Sequence, residues 1–487
     1  MAEAPFYFFS PHKLSPKKRL VGNLLGRKIA LDSHLSRRAK RATHRAANLR
    51  RDASGLSIRY EDSKVEDIGS VIDLGVGLRH LKKTGNSIQT FQAVSQRFEP
   101  EETLRLKESL LGKGAQEAPI SFKSLEEFSH PFRINPKEVP LEDKINLLRF
   151  IDSSLRKNFK LIRQVSLSYG ERERSIAILN SEGAFQVEKR VAVLLSINVI
   201  VEENGILQTG HEVIGGIKGY ELFDNQIALR LSHVAATRAE AKLKAPKAKA
   251  GEMQVILSNS AGGTFIHEAI GHSLEVDHVQ EGSSPAYIGK LGKIVAPETI
   301  TVIDDPTLPF YRGSFYFDDE GHKSQPTVLV KNGVLADYLY DRVTAMKEGK
   351  KSNGHGRRES FHCRPIPRMS NLYIAPGPDD PREILKGLKS GIFVTRMGGG
   401  QVNTATSEFV FEIDDAFWVE NGEIKHRIRD ANLMGIGPDI LRSIDKVGSD
   451  IGWGIGTCGK DGQGVPVGDG QPTLHIPKIL VGGSGDK

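Results

Sequence analysis

The stretch Gly262-Gly263-Thr264-Phe265-Ile266-His267-Glu268-Ala269-Ile270-Gly271-His272-Ser273-Leu274-Glu275-Val276-Asp277-His278 decides how the chain is read. A hydrolytic metal site needs two neutral imidazoles that hold Zn2+ with one position open, and a carboxylate that takes a proton from bound water. The common arrangement is H-E-x-x-H, with the histidines one helical turn apart. Here the spacing is H-E-x-x-x-H. On a regular helix, residues i and i+4 lie about 40° apart around the axis, but i and i+5 lie about 140° apart. A single π-turn, which pairs i with i+5, would return His272 to the side of His267, and Gly271 is the residue best able to accept the distortion. The spacing therefore predicts a bulged helix, with His267 and His272 as candidate ligands and Glu268 as candidate general base. The plainer alternative is a pair of hydrogen-bonded core histidines. A third ligand is still required, and Cys363, Cys458, Glu275 and Asp277 all carry suitable donors; Cys458 sits among glycines that let backbone approach an ion.

Outward from this helix the pattern is mixed. Leu56–Tyr60 alternates like a half-buried strand, as does Val71–Leu78, and residues 141–163 keep the 3.6-residue period of an amphipathic helix. Strands are expected at Ser175–Leu179, Arg190–Glu202 and Gly205–Gln208. Asn-Gly pairs at 204–205, 332–333 and 421–422 predict type I′ hairpin turns, whose central residues both need positive φ. Residues 228–246 read as a helix, and Lys244–Gly251 has a linker's composition. The fold class is α+β: a basic, irregular arm over residues 1–53, an N-terminal α/β domain over 54–245, and a β-rich C-terminal domain over 246–487 that carries the metal-binding helix.

Charge and cysteine usage narrow the function. The chain of 487 residues carries +7 overall, but residues 1–53 hold 13 Lys and Arg against 3 acids, so the body is nearly neutral and gives no reason to expect nucleic-acid binding. Two cysteines cannot form a disulfide framework and suit a reducing cytoplasm. No apolar run reaches the length that spans a bilayer. Gly454-x-Gly456-x-x-Gly459 imitates a dinucleotide fingerprint and Gly454 to Lys460 nearly completes a phosphate loop, yet Asp461 stands where such a loop needs Ser or Thr for Mg2+, and Gly462, Gly464 and Pro466 forbid the helix that must follow.

The metal motif is followed by Val302-Ile303-Asp304-Asp305, Asp318-Asp319-Glu320-Gly321, Gly356-Arg357-Arg358-Glu359-Ser360, Pro367-Arg368-Met369-Ser370-Asn371, Gly398-Gly399-Gly400-Gln401-Val402 and Thr457-Cys458-Gly459-Lys460-Asp461-Gly462-Gln463. In this order, from about Leu56 to the C-terminus, they resemble the TldD branch of the TldD/PmbA metalloproteases. The resemblance implies zinc held by His267, His272 and Cys458, Glu268 as general base, and hydrolysis of unfolded or flexible peptides. It also implies a partner subunit of the PmbA (TldE) type, with a homo-oligomer as the other assembly. Cys363 stands where the family pattern would place His, and residues 1–53 do not look like the family's N-terminus. Arg357, Arg358 and Gln401 are candidates for substrate contact, with a buried structural role the alternative for the arginines. The competing function is a non-catalytic peptide-binding subunit on the same scaffold, which loss of His267, Glu268 or His272 would favour; all three are present.

Overall fold

The computed structural model describes residues 47–84, 87–97, 100–111, 124–403 and 405–483. The basic arm lies outside the described residues as far as residue 46; its last seven residues, 47–53, belong to the first strand. In the first half, strands β1 (Ala47–Glu61), β2 (Lys64–Thr84), β3 (Ser87–Ser95), β4 (Glu126–Ser129), β5 (Ile162–Leu179), β6 (Phe185–Glu203) and β7 (Ile206–Gly216) form one sheet in the order β3-β2-β1-β5-β6, with β4 and β7 both paired to β6. Helix α1 (Pro100–Leu111) lies against β2 and β3, while α2 (Leu141–Asn158) and α3 (Asn225–Leu243) cover one face of the sheet. Alternate residues of β6, Val193 to Val201, meet Leu148, Ile151 and Leu155 of α2 and Ala235, Ala236 and Ala239 of α3 in one core. This alternation is what a one-sided sheet requires.

Two boundaries differ from the sequence reading for local reasons. Helix α2 stops at Asn158, because Phe159 is extended and Ile162 pairs with Val201 as β5 begins. The linker-like Lys244–Gly251 is tied down: Ala248 N–H donates to Arg429 O, Arg429 N–H donates to Pro246 O, and Ala248 is buried. The three Asn-Gly pairs all take positive φ at both residues, as expected.

The second half contains β8 (Gly251–Leu257), β9 (Val302–Asp304), β10 (Thr327–Lys331), β11 (Val334–Leu335), β12 (Gly356–Arg357), β13 (Ile366–Pro367), β14 (Asn371–Ile374), β15 (Ser390–Asn403), β16 (Glu408–Glu420), β17 (Glu423–Ile428), β18 (Ala431–Ile436), β19 (Lys446–Val447), β20 (Gly452–Lys460), β21 (Gln463–Gln471) and β22 (Leu474–Gly483). The ladder β15-β8-β22-β18-β16 closes on itself through β15–β16 pairing, and β17 and β19 attach to it. A second sheet runs β11-β10-β9-β14-β21-β20. The helix of residues 264–274 is buried between them, with Phe265, Ile266, Ala269, Ile270 and Leu274 in a core shared with Val394, Phe409, Leu372 and Val467. Strand β20 ends its sheet.

Buried ion pairs join the halves. Arg79 of β2 pairs with Glu320, Arg174 of β5 reaches Asp319 at 3.2 Å, and Lys242 of α3 reaches Asp414 at 2.7 Å. No helix among the described residues is long and apolar enough to cross a membrane.

Helix α3 depends on a close approach to β7 at Gly210, where an added Cβ would lie 1.9 Å from Ala235 O. Gly210→Ala should therefore lower stability by about 1–3 kcal/mol through overpacking. Urea unfolding checks this, and an unchanged midpoint would show that the contact is not tight.

Candidate metal centre

The helix of residues 264–274 changes pitch where the spacing of its histidines demands it. It opens as α-helix over Thr264–Ile266, widens to π-helix over His267–Gly271 and closes as a 3-10 turn over His272–Leu274. His272 N–H donates to His267 O, the i to i+5 bond of a π-turn. The imidazoles are thereby brought to a centroid separation of 5.1 Å, nearly perpendicular at 87°. Gly271 is needed for a different reason than expected. Its φ of −58° and ψ of −50° are ordinary helix, open to any residue. An added Cβ, however, would lie 2.1 Å from Met369 Sδ and 2.6 Å from Leu372 Cδ2, so any side chain here would have to displace these two buried residues.

Cys458 arrives from β20, and the donor atoms of His267, His272 and Cys458 all lie within 4.8 Å of one another. All three residues are buried. Cys458 Sγ is 3.5 Å from His272 Nε2. Each imidazole is oriented through its other nitrogen: His267 Nδ1 is 2.6 Å from Asp469 Oδ1, and His272 Nδ1 is 3.0 Å from Glu275 Oε2. Both Nε2 atoms are left to face the centre, the usual way in which a carboxylate fixes a ligating histidine. Glu268 stands beside them, with Oε2 3.9 Å from His272 Nε2 and its side chain partly exposed.

Behind the donors lies a buried charge network. Glu275 has no exposed side-chain surface, and Lys460 Nζ donates to its Oε2 at 3.0 Å and to Asp277 Oδ1 at 2.8 Å. Arg368, also fully buried, donates to Cys458 O at 2.5 Å and to Gln463 O at 3.2 Å. Glu275 and Asp277 thus serve this network, although each was a possible third ligand by residue type.

Electrostatics follow from these contacts. Burial pushes the Cys458 thiol up, but the imidazoles of His267 and His272 outweigh it and bring the thiol down to about 5. Burial opposes the charged form of His272, yet Glu275 and Cys458 raise it to about 9. Glu268 is held above the usual carboxylate range by burial, against the pull of the two imidazoles. Glu275 is held far below that range, because Lys460 and His272 together overcome its burial. One thiolate and two imidazole nitrogens facing each other, with their far sides tied to carboxylates, form a donor set that fits Zn2+.

The other candidates lie elsewhere. Arg357 is buried, bonds Met369 O and Pro466 O, and stacks over Phe315 at 5.2 Å. Arg358 is buried and donates to Cys363 O at 3.2 Å. None of these partners is His267, Glu268, His272 or Cys458. Gln401 is exposed on β15, opposite Val410 of β16. Cys363 is half-buried, with Sγ 3.8 Å from Ser360 Oγ.

Asp469 and Lys460 were not anticipated. The signal was Asp461-Gly462, a two-residue hairpin turn with both φ positive, which sets the register Lys460↔Gln463, Cys458↔Val465 and Gly454↔Asp469. Counting back along that hairpin puts Asp469 on the face of Cys458.

Residues 250–483 match the PmbA/TldA metallopeptidase C-terminal domain, and residues 134–243 match the central domain of the same family. A "Metalloprotease TldD homolog" of Haemophilus influenzae is 35% identical over 87% of this chain and 90% of its own length. A "Zinc metalloprotease TldD homolog" of Saccharolobus solfataricus is 31% identical over 70% of this chain and 76% of its own. The crystal structure of TldE from Thermococcus kodakarensis shares the fold, with a TM-score of 0.67 at 16% identity over 90% of this chain and 96% of that one.

The buried Lys460 cation compensates Glu275 and Asp277 together. Lys460→Met should destabilise the protein by about 3–5 kcal/mol, since it leaves buried carboxylates short of a counter-charge. Denaturant unfolding is the check; a midpoint equal to that of the wild type would show that Glu275 does not need this lysine.

Proposed function

The chain belongs to the PmbA/TldD metallopeptidase family, and on that premise we propose that it is a catalytic, zinc-dependent subunit that hydrolyses peptide bonds in unfolded or flexible chains. The observation that carries this reading is the convergence of three donor atoms within 4.8 Å beside a carboxylate, on a helix bulged at the second histidine. In it, His267 Nε2, His272 Nε2 and Cys458 Sγ hold the metal. When bound, Zn2+ supplies polarisation of the scissile carbonyl and acidification of a water molecule. Asp469 and Glu275 keep the imidazoles turned inward and accept their Nδ1 protons. A Glu268 carboxylate oxygen takes the proton of the attacking water and passes it to the leaving amine, a task helped by burial, which holds the group above its ordinary pKa. Arg357, Arg358 and Gln401 act outside this set, the arginines by bracing the walls and Gln401 by meeting substrate at the rim.

Substrate lies as an extended strand along the free edge of β20. The edge offers unpaired backbone groups that bind a peptide without reading its sequence. Gly454 and Gly456 share the face of Cys458, and side chains there would begin in ordinary contact, at 3.7 Å and 3.5 Å from their neighbours, so the floor is kept low. The assembly we favour pairs this chain with a PmbA-type (TldE) subunit rather than with itself, in the cytoplasm. The likeness in fold to TldE and two free cysteines support it.

Glu268→Gln should keep about one zinc per chain while slowing cleavage of a flexible peptide by at least about a hundredfold, since proton transfer by a placed carboxylate contributes on that scale. Wild-type turnover in that variant would remove Glu268 from the mechanism. Cys458→Ser should lose most of its zinc on dialysis, read by elemental analysis; full retention would remove Cys458 from the ligand set.

A further inference from the structure

A second feature sits on the opposite face of β20 from Cys458. Where the end of β7 meets the loop around Phe310 and the strand residues Trp453–Ile455 there is a cavity of about 420 Å3. Three cations line it, Lys218, Arg312 and Arg396, and no Asp or Glu does. Arg396 is compensated, with Glu212 Oε2 at 3.2 Å. Lys218 and Arg312 have no ion-pair partner among the described residues. Lys218 Nζ lies 4.9 Å from the centroid of the Phe310 ring. Arg312 donates from Nε to Gly456 O and from Nη2 to Thr457 Oγ1, both at 3.0 Å. Those neutral acceptors fix the plane of the guanidinium, use two of its five donors and leave its charge unmatched.

The site is built rather than incidental. Phe310 has a φ of 70°, a left-handed conformation that a bulky residue adopts only under constraint, and its carbonyl accepts from Ile217 N–H at 3.1 Å. The rest of the wall is largely apolar and aromatic, from Leu222, Phe310, Tyr311, Trp453 and Ile455. Unmatched cations in a concave, apolar surround concentrate positive potential there and favour an anion with an apolar body. Arg312 is anchored on the strand that carries Cys458, and Ile455 stands three residues from Cys458, roughly 10 Å along an extended strand.

Resting on the peptidase reading above, we propose that this cavity is a carboxylate-recognition subsite. Lys218 and Arg312 receive either the C-terminal carboxylate of a peptide or an Asp or Glu side chain about three residues from the bond that is cut. The subsite makes the enzyme prefer acidic segments or chain ends while the main-chain contacts stay indifferent to sequence.

The test uses one flexible sequence in three forms: neutral with an amidated end, neutral with a free carboxylate three residues from the cut, and amidated with Glu at that distance. KM and kcat are measured for the full chain, alone and together with a PmbA-type partner subunit, and for Lys218→Met and Arg312→Gln in the same two forms, with zinc content followed in each. Binding of the same peptides to Glu268→Gln is read by fluorescence anisotropy. The wild type should show a KM about tenfold lower for at least one carboxylate form, the scale of one charge-assisted contact, with kcat similar. Both variants should bring that ratio close to one, and the form that keeps the advantage identifies the source of the carboxylate. Equal KM for all three peptides in the wild type, or a ratio that survives both substitutions, would overturn the proposal. If the wild type cuts none of them, the peptidase reading fails, and the anisotropy ratio still decides whether the subsite exists.

Discussion

One backbone hydrogen bond, from His272 N–H to His267 O, sets the terms for the rest of the molecule. Without that i to i+5 bond the two imidazoles would point to different sides of the helix, and nothing brought in by β20 could meet both. A π-turn is a poor helix in isolation, so the surroundings must hold it. They do so by burial on both faces: Ala269 and Ile270 are fully enclosed, and Gly271 gives its Cβ space to Met369. The bulge, the glycine and the methionine are therefore one packing solution, in which local strain is offset by a tightly filled core.

The same helix end explains why so much charge is buried in a chain half. Two histidines that must keep Nε2 inward each require a carboxylate at Nδ1. Burying Glu275 then requires Lys460 and Arg368, which in turn use carbonyls of Cys458, Gln463 and Pro367. Each step is forced by the desolvation of the one before. The result links residues far apart in the chain, and the order of the sheet β9-β14-β21-β20 is what delivers them to one place.

What could be read from the sequence divides along the same line. The π-turn was legible, because H-E-x-x-x-H is incompatible with a regular helix if both histidines face one point. The hairpins at Asn204-Gly205, Asn332-Gly333 and Asn421-Gly422 were legible because their φ requirements are local. Helix ends were less so: residues 159–163 carry apolar residues that suit either a helix or the strand that captures Ile162, and only the partner Val201 decides. Asp469 and Lys460 depend on a hairpin register that the glycine-rich decoy obscured. Closure of the β15-β8-β22-β18-β16 ring could not be foreseen, since pairing between strands more than a hundred residues apart leaves no periodic trace.

Separation along the chain has a consequence for synthesis. His272 and Cys458 are 186 residues apart, and at translation rates of about 5–20 residues per second that interval is roughly ten to forty seconds. Throughout it the growing chain holds both histidines but neither the thiolate nor Asp469, and β22, which lies between β8 and β18 in the closed ladder, has not yet been made. A peptidase of unfolded polypeptide, as proposed above, would be most dangerous to its own ribosome-bound copies. The three donor atoms cannot come together until the strand that carries Cys458 has been made, so the order of translation would keep the proposed centre apart while the chain is unfinished.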